Sequence, residues 1–162
     1  MEHLKFVCYL YEKQRAAGRL FLHEHPRFAS SWLEECIKAL LAKPGVATVD
    51  MDQCQLGQKD QRGRPIKKPT RWMSNSAHIL QRLDKKCSGL HGWCSGRTRN
   101  QKHRLCYGEV AKQAAIYPFR LCKAILEGLK DAMEQSGRLI AYGRIVVPKM
   151  VASILRQKRL VD

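Results

Sequence analysis

Apolar residues in the first fifty positions recur with periods that predict two helices and two strands. Helical spacing extends over 2–17, where Gly18 provides a stop, and the apolar run 20–23 then predicts a strand. A second helix over 30–42, with its apolar residues on one face, precedes a strand over 46–51. Because a helix between two short strands has the length of a βαβ crossover, we predict that the two strands pair in parallel.

The second half of the chain predicts loops and helices around one more strand. Residues 57–65 are polar and punctuated by glycine, which is typical of an exposed loop. The pattern then predicts a short strand over 70–74 and a helix over 77–86. Four glycines and few apolar groups over 88–108 predict a mobile segment, and Pro118 begins the strongest helical pattern of the chain.

Together these elements predict one α/β domain over 1–137, built on a partial Rossmann-like sheet with flanking helices. Residues 88–110 are its predicted mobile insertion, which is basic and rich in glycine. Residues 138–162 are predicted to be a basic peripheral C-terminal tail that contains two short strands, 139–142 and 145–147. A chain of 162 residues that is 44% hydrophobic is large enough for one core that buries about two-thirds of the unfolded surface.

Positive charge is concentrated in the middle and last thirds of the chain. Residues 1–50 carry seven Lys/Arg and six Asp/Glu, residues 51–110 carry thirteen and four, and residues 111–162 carry ten and four. The total net charge of +16 favours a polyanionic partner, because each phosphate neutralised by Lys or Arg releases counterions. We therefore predict nucleic-acid binding. A basic surface that only keeps the protein solvated is the alternative.

The predicted nucleic-acid-binding residues form two groups, one in a basic motif before the middle of the chain and one in the insertion. Trp72, beside the first group, is a candidate for stacking on a base, although a tryptophan at this position is also typical of a core. The candidates are Lys67, Lys68, Arg71, Trp72, Arg97, Arg99, Lys102 and Arg104.

The seven cysteines predict reduced thiols, because an odd number in this arrangement does not suggest a disulfide framework. Five potential metal ligands lie between residues 87 and 106, mostly in the insertion. Four of them can close a tetrahedral zinc site that organises this segment. Chance clustering in a cysteine-rich chain is the alternative. The candidate ligands are Cys87, His91, Cys94, His103 and Cys106.

Polar motifs in a fixed order connect the predicted elements. They are His-Glu-His-Pro at 23–26, Ser-Ser-Trp at 30–32, Asp-Gln-Cys-Gln-Leu-Gly at 52–57, Lys-Lys-Pro-Thr at 67–70, Asn-Ser at 75–76 and Cys-x-Gly-x-His at 87–91. Over about residues 18–129 this pattern resembles a domain of retroelement-type polyproteins. The resemblance implies other segments of a parent polyprotein as partners, and it implies no particular reaction.

The order of the first motifs is also similar to the C-terminal part of the cytosine-5 DNA methyltransferase catalytic fold. This resemblance implies a methyltransferase-like sheet, and it implies that Glu24 recognises the edge of a flipped base. Alternatively, Glu24 and its flanking histidines only bond loop amides. The chain has neither the Gly-rich cofactor turn nor the Pro-Cys nucleophile loop of that family, so we expect no catalysis of its own.

The sequence also indicates where the protein acts. No run approaches the roughly 20 apolar residues that a membrane span needs, and the first residues are charged instead of resembling a signal peptide. We expect an intracellular protein, nuclear or cytoplasmic, with no membrane partner. The predicted function is that of a nucleic-acid-binding α/β domain derived from a retroelement polyprotein. A small zinc-binding module, or a degenerate fragment of a methyltransferase-like enzyme, is the alternative.

Overall fold

A computed structural model describes residues 2–96 and 101–137, together with the backbone of 139–142 and 145–148. The helices are α1 (Glu2–Ala16), α2 (Glu35–Leu41), α3 (Ala77–Leu83), α4 (Gly108–Gln113) and α5 (Phe119–Gln135). The strands are β1 (Leu22–Pro26), β2 (Ala47–Asp52), β3 (Pro69–Ser74), β4 (Leu139–Tyr142) and β5 (Ile145–Pro148). Two short 3-10 helices, Ser30–Leu33 and Gln53–Leu56, follow β1 and β2.

The central strand of the main sheet is β3, and the strand order is β1-β3-β2. It pairs antiparallel with both neighbours, so that Glu24 and Val49 lie on either side of Trp72. The predicted parallel pairing of β1 and β2 is therefore wrong, although these two strands do run in the same direction. Burial explains the central position, because Trp72 and Met73 point to opposite faces and both are buried.

Each face of this sheet is covered by helices. On one face, Met51 and Trp72 pack with residues of α3 and α5 such as Leu83 and Leu121. The other core contains Cys8, Phe21, Trp32, Ile37, Leu40 and Met73. Helices on a small sheet agree with the predicted α/β class. The Rossmann-like character is not confirmed, because that fold is built on a mostly parallel sheet.

Local sequence signals explain where the helices begin and end. α1 and α3 start within a residue or two of the predicted positions, and the side chain of Ser76 caps α3 by accepting the N–H of Ile79 at 3.4 Å. Pro118 lies at the N-cap of α5. The two strands predicted in the C-terminal tail are confirmed as an antiparallel pair, β4 with β5.

Candidate metal centre

Three cysteines and a histidine from separate parts of the chain meet near the end of β2. The sulfurs of Cys54, Cys87 and Cys94 and a ring nitrogen of His103 all lie within 4.8 Å of one another. The cysteines are buried and His103 is half-buried. Ligands on a tetrahedral zinc ion lie about 3.3–3.8 Å apart when the metal bonds have their usual lengths. The four atoms would have to move together only slightly to reach that geometry, so the cluster can hold a metal ion.

The end of β2 holds the first two ligands together. Cys54 lies in the 3-10 helix that directly follows β2. Cys87 follows α3, and its backbone N–H donates to Oδ2 of Asp52 at 2.9 Å. The N–H of Asp52 in turn donates to the carbonyl of Lys85 at 3.0 Å. These two hydrogen bonds fix the chain after α3 beside Cys54.

A short hairpin carries the other two candidate ligands. Trp93 and Lys102 form an antiparallel bridge, and the N–H of Cys94 donates to the carbonyl of Gln101 at 3.0 Å. Cys94 and His103 each follow one partner of this bridge. The hairpin itself is joined to the domain, because the N–H of Arg104 donates to the carbonyl of Pro65 at 2.7 Å.

A tight turn precedes Trp93 and sets the start of the hairpin. The N–H of Trp93 donates to the carbonyl of Leu90 at 2.9 Å, and His91 and Gly92 between them have φ values of 51° and 82°. Positive φ at both central positions is typical of a type I′ turn. A Cβ atom at Gly89 would lie 1.9 Å from the carbonyl oxygen of Trp93. Only glycine therefore allows the chain to pass this close to the hairpin.

Hydrogen bonds to sulfur come from a repeated Cys-Ser-Gly sequence at 87–89 and 94–96. The N–H of Gly96 donates to Sγ of Cys94 at 3.4 Å. The N–H and the hydroxyl of Ser95 both donate to Sγ of Cys87, also at 3.4 Å. Donors of this kind orient metal-bound thiolates and stabilise their negative charge.

The same contacts shift the acidity of the thiols in opposite directions. Burial acts to raise the pKa of Cys87, but hydrogen bonds from Ser95 and from the N–H of Gly89 outweigh it and lower that pKa to about 6. Burial raises the pKa of Cys54, and the negative charge of Cys87 and Cys94 raises it further. The thiol of Cys87 therefore loses its proton readily at neutral pH, and the resulting thiolate is the form that binds a metal ion. A metal ion would displace the proton of Cys54, as metals do when they bind thiols.

The structure brings together three of the five predicted ligands, namely Cys87, Cys94 and His103. His91 is exposed in the turn, and Cys106 is half-buried outside the cluster. The fourth member, Cys54, was missed because it lies far upstream in the chain. Its position in a polar motif after a predicted strand was a signal, since such strand ends often carry ligand-binding residues.

The basic motif predicted to bind nucleic acid is largely engaged inside the domain. Arg71 donates to Oδ1 and Oδ2 of Asp50 at 2.7 and 3.2 Å. Nζ of Lys68 donates to the carbonyl of Ala114 at 3.2 Å, and Nζ of Lys67 lies 3.8 Å from Oδ2 of Asp52. These cations are therefore less available to phosphates than their sequence suggested.

The remaining predicted nucleic-acid residues divide into three groups. Trp72 is 1% exposed, so its ring cannot stack on a base in this structure. Lys102 and Arg104 are exposed. With Arg64, Gln101 and His103 they line a cleft of about 360 Å³ beside the metal ligands. Arg97 and Arg99 lie outside the described residues.

Glu24, the residue predicted to recognise a base, lies in β1 opposite Trp72. Among the described residues, neither Oε1 of Glu24 nor Nε1 of Trp72 has a hydrogen-bond partner, and both atoms are buried. Burial raises the pKa of Tyr117, and the neighbouring carboxylate of Glu24 raises it further. Glu24 therefore borders a polar site with unsatisfied groups on the sheet face that α3 and α5 cover.

His23 lies on the other face and is 7% exposed. Its Nδ1 is 3.2 Å from the hydroxyl of Tyr11, and its ring is stacked on that of His25 at a centroid distance of 5.9 Å. Burial, together with a smaller repulsion from His25, lowers the pKa of His23 from 6.5 to about 4. The folded protein therefore keeps His23 neutral under most conditions.

We expect this histidine to make the protein less stable in mild acid. Because the unfolded chain binds the proton at a higher pH than the folded chain, stability falls as the pH drops from 6.5 towards 4 and the effect is absent above that window. A pKa difference of this size corresponds to a loss on the order of 3 kcal/mol. Urea unfolding at several pH values should show that His23→Asn flattens this fall, whereas His3→Asn, at an exposed position of α1, leaves it unchanged.

Compared with known proteins, the chain matches no family model, and no curated protein or solved structure is significantly similar to it. Within the described part of the chain, no helix combines the length and the apolar character that crossing a membrane requires.

Proposed function

We propose that this chain is a nucleic-acid-binding α/β domain in which a structural zinc ion holds a basic hairpin against the sheet. The observation that carries the proposal is the convergence of Cys54, Cys87, Cys94 and His103 to within 4.8 Å. The domain performs no catalysis of its own in this proposal. The metal fixes the shape of the surface that meets the nucleic acid.

The donor set favours zinc over other common ions. Thiolates and imidazole suit zinc, whereas magnesium and calcium prefer oxygen ligands. Three sulfurs and one nitrogen complete a four-coordinate shell, which is typical of structural sites and leaves no open position for a substrate. A zinc ion held this way would stabilise the hairpin, because its binding free energy contributes to folding.

Charge around the centre supports nucleic acid as the partner. Residues 85–107 contain six Lys/Arg and no Asp/Glu. Lys102 and Arg104, which are exposed, flank the ligand His103 and line the adjacent cleft. Cations on the arm of the hairpin that carries His103 can contact the phosphates, which are negatively charged along the whole strand.

A salt titration of binding to labelled single-stranded and duplex oligonucleotides tests this proposal. We expect the Lys102→Gln/Arg104→Gln variant to bind more weakly and to reduce the slope of log affinity against log salt by about 1.4 on single strands. The matched control is Lys13→Gln/Lys43→Gln, which removes the same charge from exposed positions elsewhere. Equal losses in both variants, or no binding by the zinc-loaded protein at low salt, would contradict the proposal.

The unsatisfied atoms at Glu24 and Trp72 favour a second candidate, a degenerate methyltransferase-like fragment in which Glu24 still reads a base edge. The parallel directions of β1 and β2, which α2 connects, support a methyltransferase-like origin of the sheet. Titrations with the four homopolymers test it, because a domain in which Glu24 reads the base edge would prefer one of them. The ordered polar motifs support derivation from a retroelement polyprotein. Sequencing of the DNA on both sides of this coding sequence tests this origin, because a polyprotein gene would encode further domains in the same reading frame.

A further inference from the structure

Trp93 differs from the other two tryptophans of the chain in its exposure. Trp32 and Trp72 are 7% and 1% exposed and belong to the two cores, whereas Trp93 is 43% exposed. Its backbone is held in the hairpin by the turn before it and by the bridge to Lys102. The next residue is the metal ligand Cys94. Backbone hydrogen bonds thus hold a large aromatic ring at the surface.

Positive charge lies directly beside this ring. Nζ of Lys102 is 5.6 Å from the ring centroid of Trp93, within the range of a cation–π contact. Lys102 also lines the cleft of about 360 Å³ that contains Arg64 and Arg104. Arg64 is paired with Asp60 at 2.7 Å, whereas within the described residues no acidic side chain pairs with Lys102 or Arg104.

We infer that Trp93 and this cleft bind single-stranded nucleic acid, with one unpaired base stacked on the indole ring and the adjoining phosphate held by Lys102 and Arg104. The inference rests on the proposed function and names its substrate class. In a duplex both faces of an internal base are covered by its neighbours, so such a ring can stack only on an unpaired base. Stacking tolerates any base, because every base has a π-face.

Affinity for a single-stranded oligonucleotide and for the duplex of the same sequence tests the inference with the zinc-loaded protein. We expect Trp93→Ala to weaken single-strand binding by about 5- to 150-fold, which is the usual loss for one stacked base. Duplex binding should change less than about twofold, because phosphate contacts alone support it. Trp93→Phe should recover most of the affinity, because phenylalanine retains an aromatic face.

Fluorescence gives an independent readout. Because only Trp93 of the three tryptophans is substantially exposed, a stacked base should quench the solvent-exposed part of the emission, and Trp93→Phe should abolish that change. Zinc content equal to wild type in each variant verifies that the hairpin is intact. The side chain of Trp93 is half out of the domain, so its removal should leave the fold unchanged.

The outcomes separate this inference from the proposed function. Unchanged single-strand affinity in Trp93→Ala, or an equal loss on duplex, would overturn the inference while nucleic-acid binding itself stands. No binding to either form would overturn both. In that case the exposed side chains of Leu90, Leu105 and Tyr107 near the hairpin would favour a protein partner instead.

Discussion

Replacing Cys54 with serine is expected to remove the bound zinc, whereas replacing Cys106 with serine should leave it in place. Cys54 contributes one of the four clustered ligand atoms, and Cys106 lies outside the cluster. The apparent binding free energy of a structural zinc ion is about 10–16 kcal/mol at neutral pH. The loss of one thiolate should therefore cost enough affinity for a mild chelator to strip the ion.

Zinc content after dialysis against a mild chelator measures this difference. Cobalt substitution adds a second readout, because the intensity of the thiolate-to-cobalt absorption follows the number of sulfur ligands. Wild type and Cys106→Ser should give the same spectrum, which corresponds to three sulfurs. Equal zinc retention by Cys54→Ser would exclude Cys54 as a ligand, and loss in Cys106→Ser alone would restore the ligand set that the spacing within the insertion suggests.

Alkylation of the unaltered protein tests the same site without a substitution. Zinc should protect Cys54, Cys87 and Cys94 from a thiol reagent, and a chelator should expose them. Cys36, Cys106 and Cys122 are half-buried, so their reactivity should not depend on zinc. Mass spectrometry of the digested protein identifies the modified positions. If zinc protects none of the three clustered cysteines, the prediction of a metal centre is wrong. This result does not depend on whether a serine variant folds.

The contrast between Cys54 and Cys106 shows what sequence spacing can predict about such a site. Ligands close together in the chain, such as Cys87 and Cys94, are visible as a cluster in the sequence. Cys54 joins them because hydrogen bonds between Asp52, at the end of β2, and the backbone of Lys85 and Cys87 hold the chain after α3 beside it. That contact depends on the tertiary fold, which a one-dimensional pattern does not specify.

The sheet illustrates the same limit. Helical periodicity predicted α1 and α3 closely, because the amphipathic face of a helix is a local property. Strand order is not local, and the two apolar strands flanking α2 looked like direct neighbours. The insertion of β3 between them depends on the burial of Trp72 and Met73 on opposite faces. The sequence predicts a strand over 70–74, but not its partners.

Charge was also only partly predictable. The sequence shows Arg71 in a basic motif, yet the cross-strand register places it directly opposite Asp50. The two side chains then form a bidentate ion pair, and the guanidinium lowers the pKa of Asp50 below its usual value. Among the predicted nucleic-acid-binding cations that the structure describes, Lys102 and Arg104 on the hairpin are exposed.

Gly128→Ala is expected to destabilise the domain, although the same change usually stabilises a helix. Alanine is favoured over glycine by about 1 kcal/mol in a helix interior. Gly128 is in the middle of α5, however, and a Cβ atom there would lie 2.6 Å from Cα of Ile79 and 3.0 Å from the carbonyl oxygen of His78. These are backbone atoms of α3, so the two helices would have to move apart.

Separation of α3 from α5 would loosen the core that Leu83 and Leu121 share. Overpacking of this kind costs about 1–3 kcal/mol, which should exceed the gain in helix propensity. Urea unfolding measures the net effect, and Lys130→Ala, on the exposed side of α5, should change stability by less than about 0.5 kcal/mol. A more stable Gly128→Ala variant would show that α3 and α5 can accommodate the added methyl group without a loss of packing.

The same substitution should also lower the affinity of the metal centre for zinc. The chain leads from the end of α3 at Leu83 directly to Cys87, whose position depends on its bond to Asp52. A shift of α3 away from α5 would pull on this short connection and weaken zinc binding, although no ligand is changed. Lower zinc affinity in Gly128→Ala than in Lys130→Ala would therefore indicate that helix packing and metal binding stabilise one cooperative unit. Equal affinities would indicate that the hairpin and its metal are independent of the helical face.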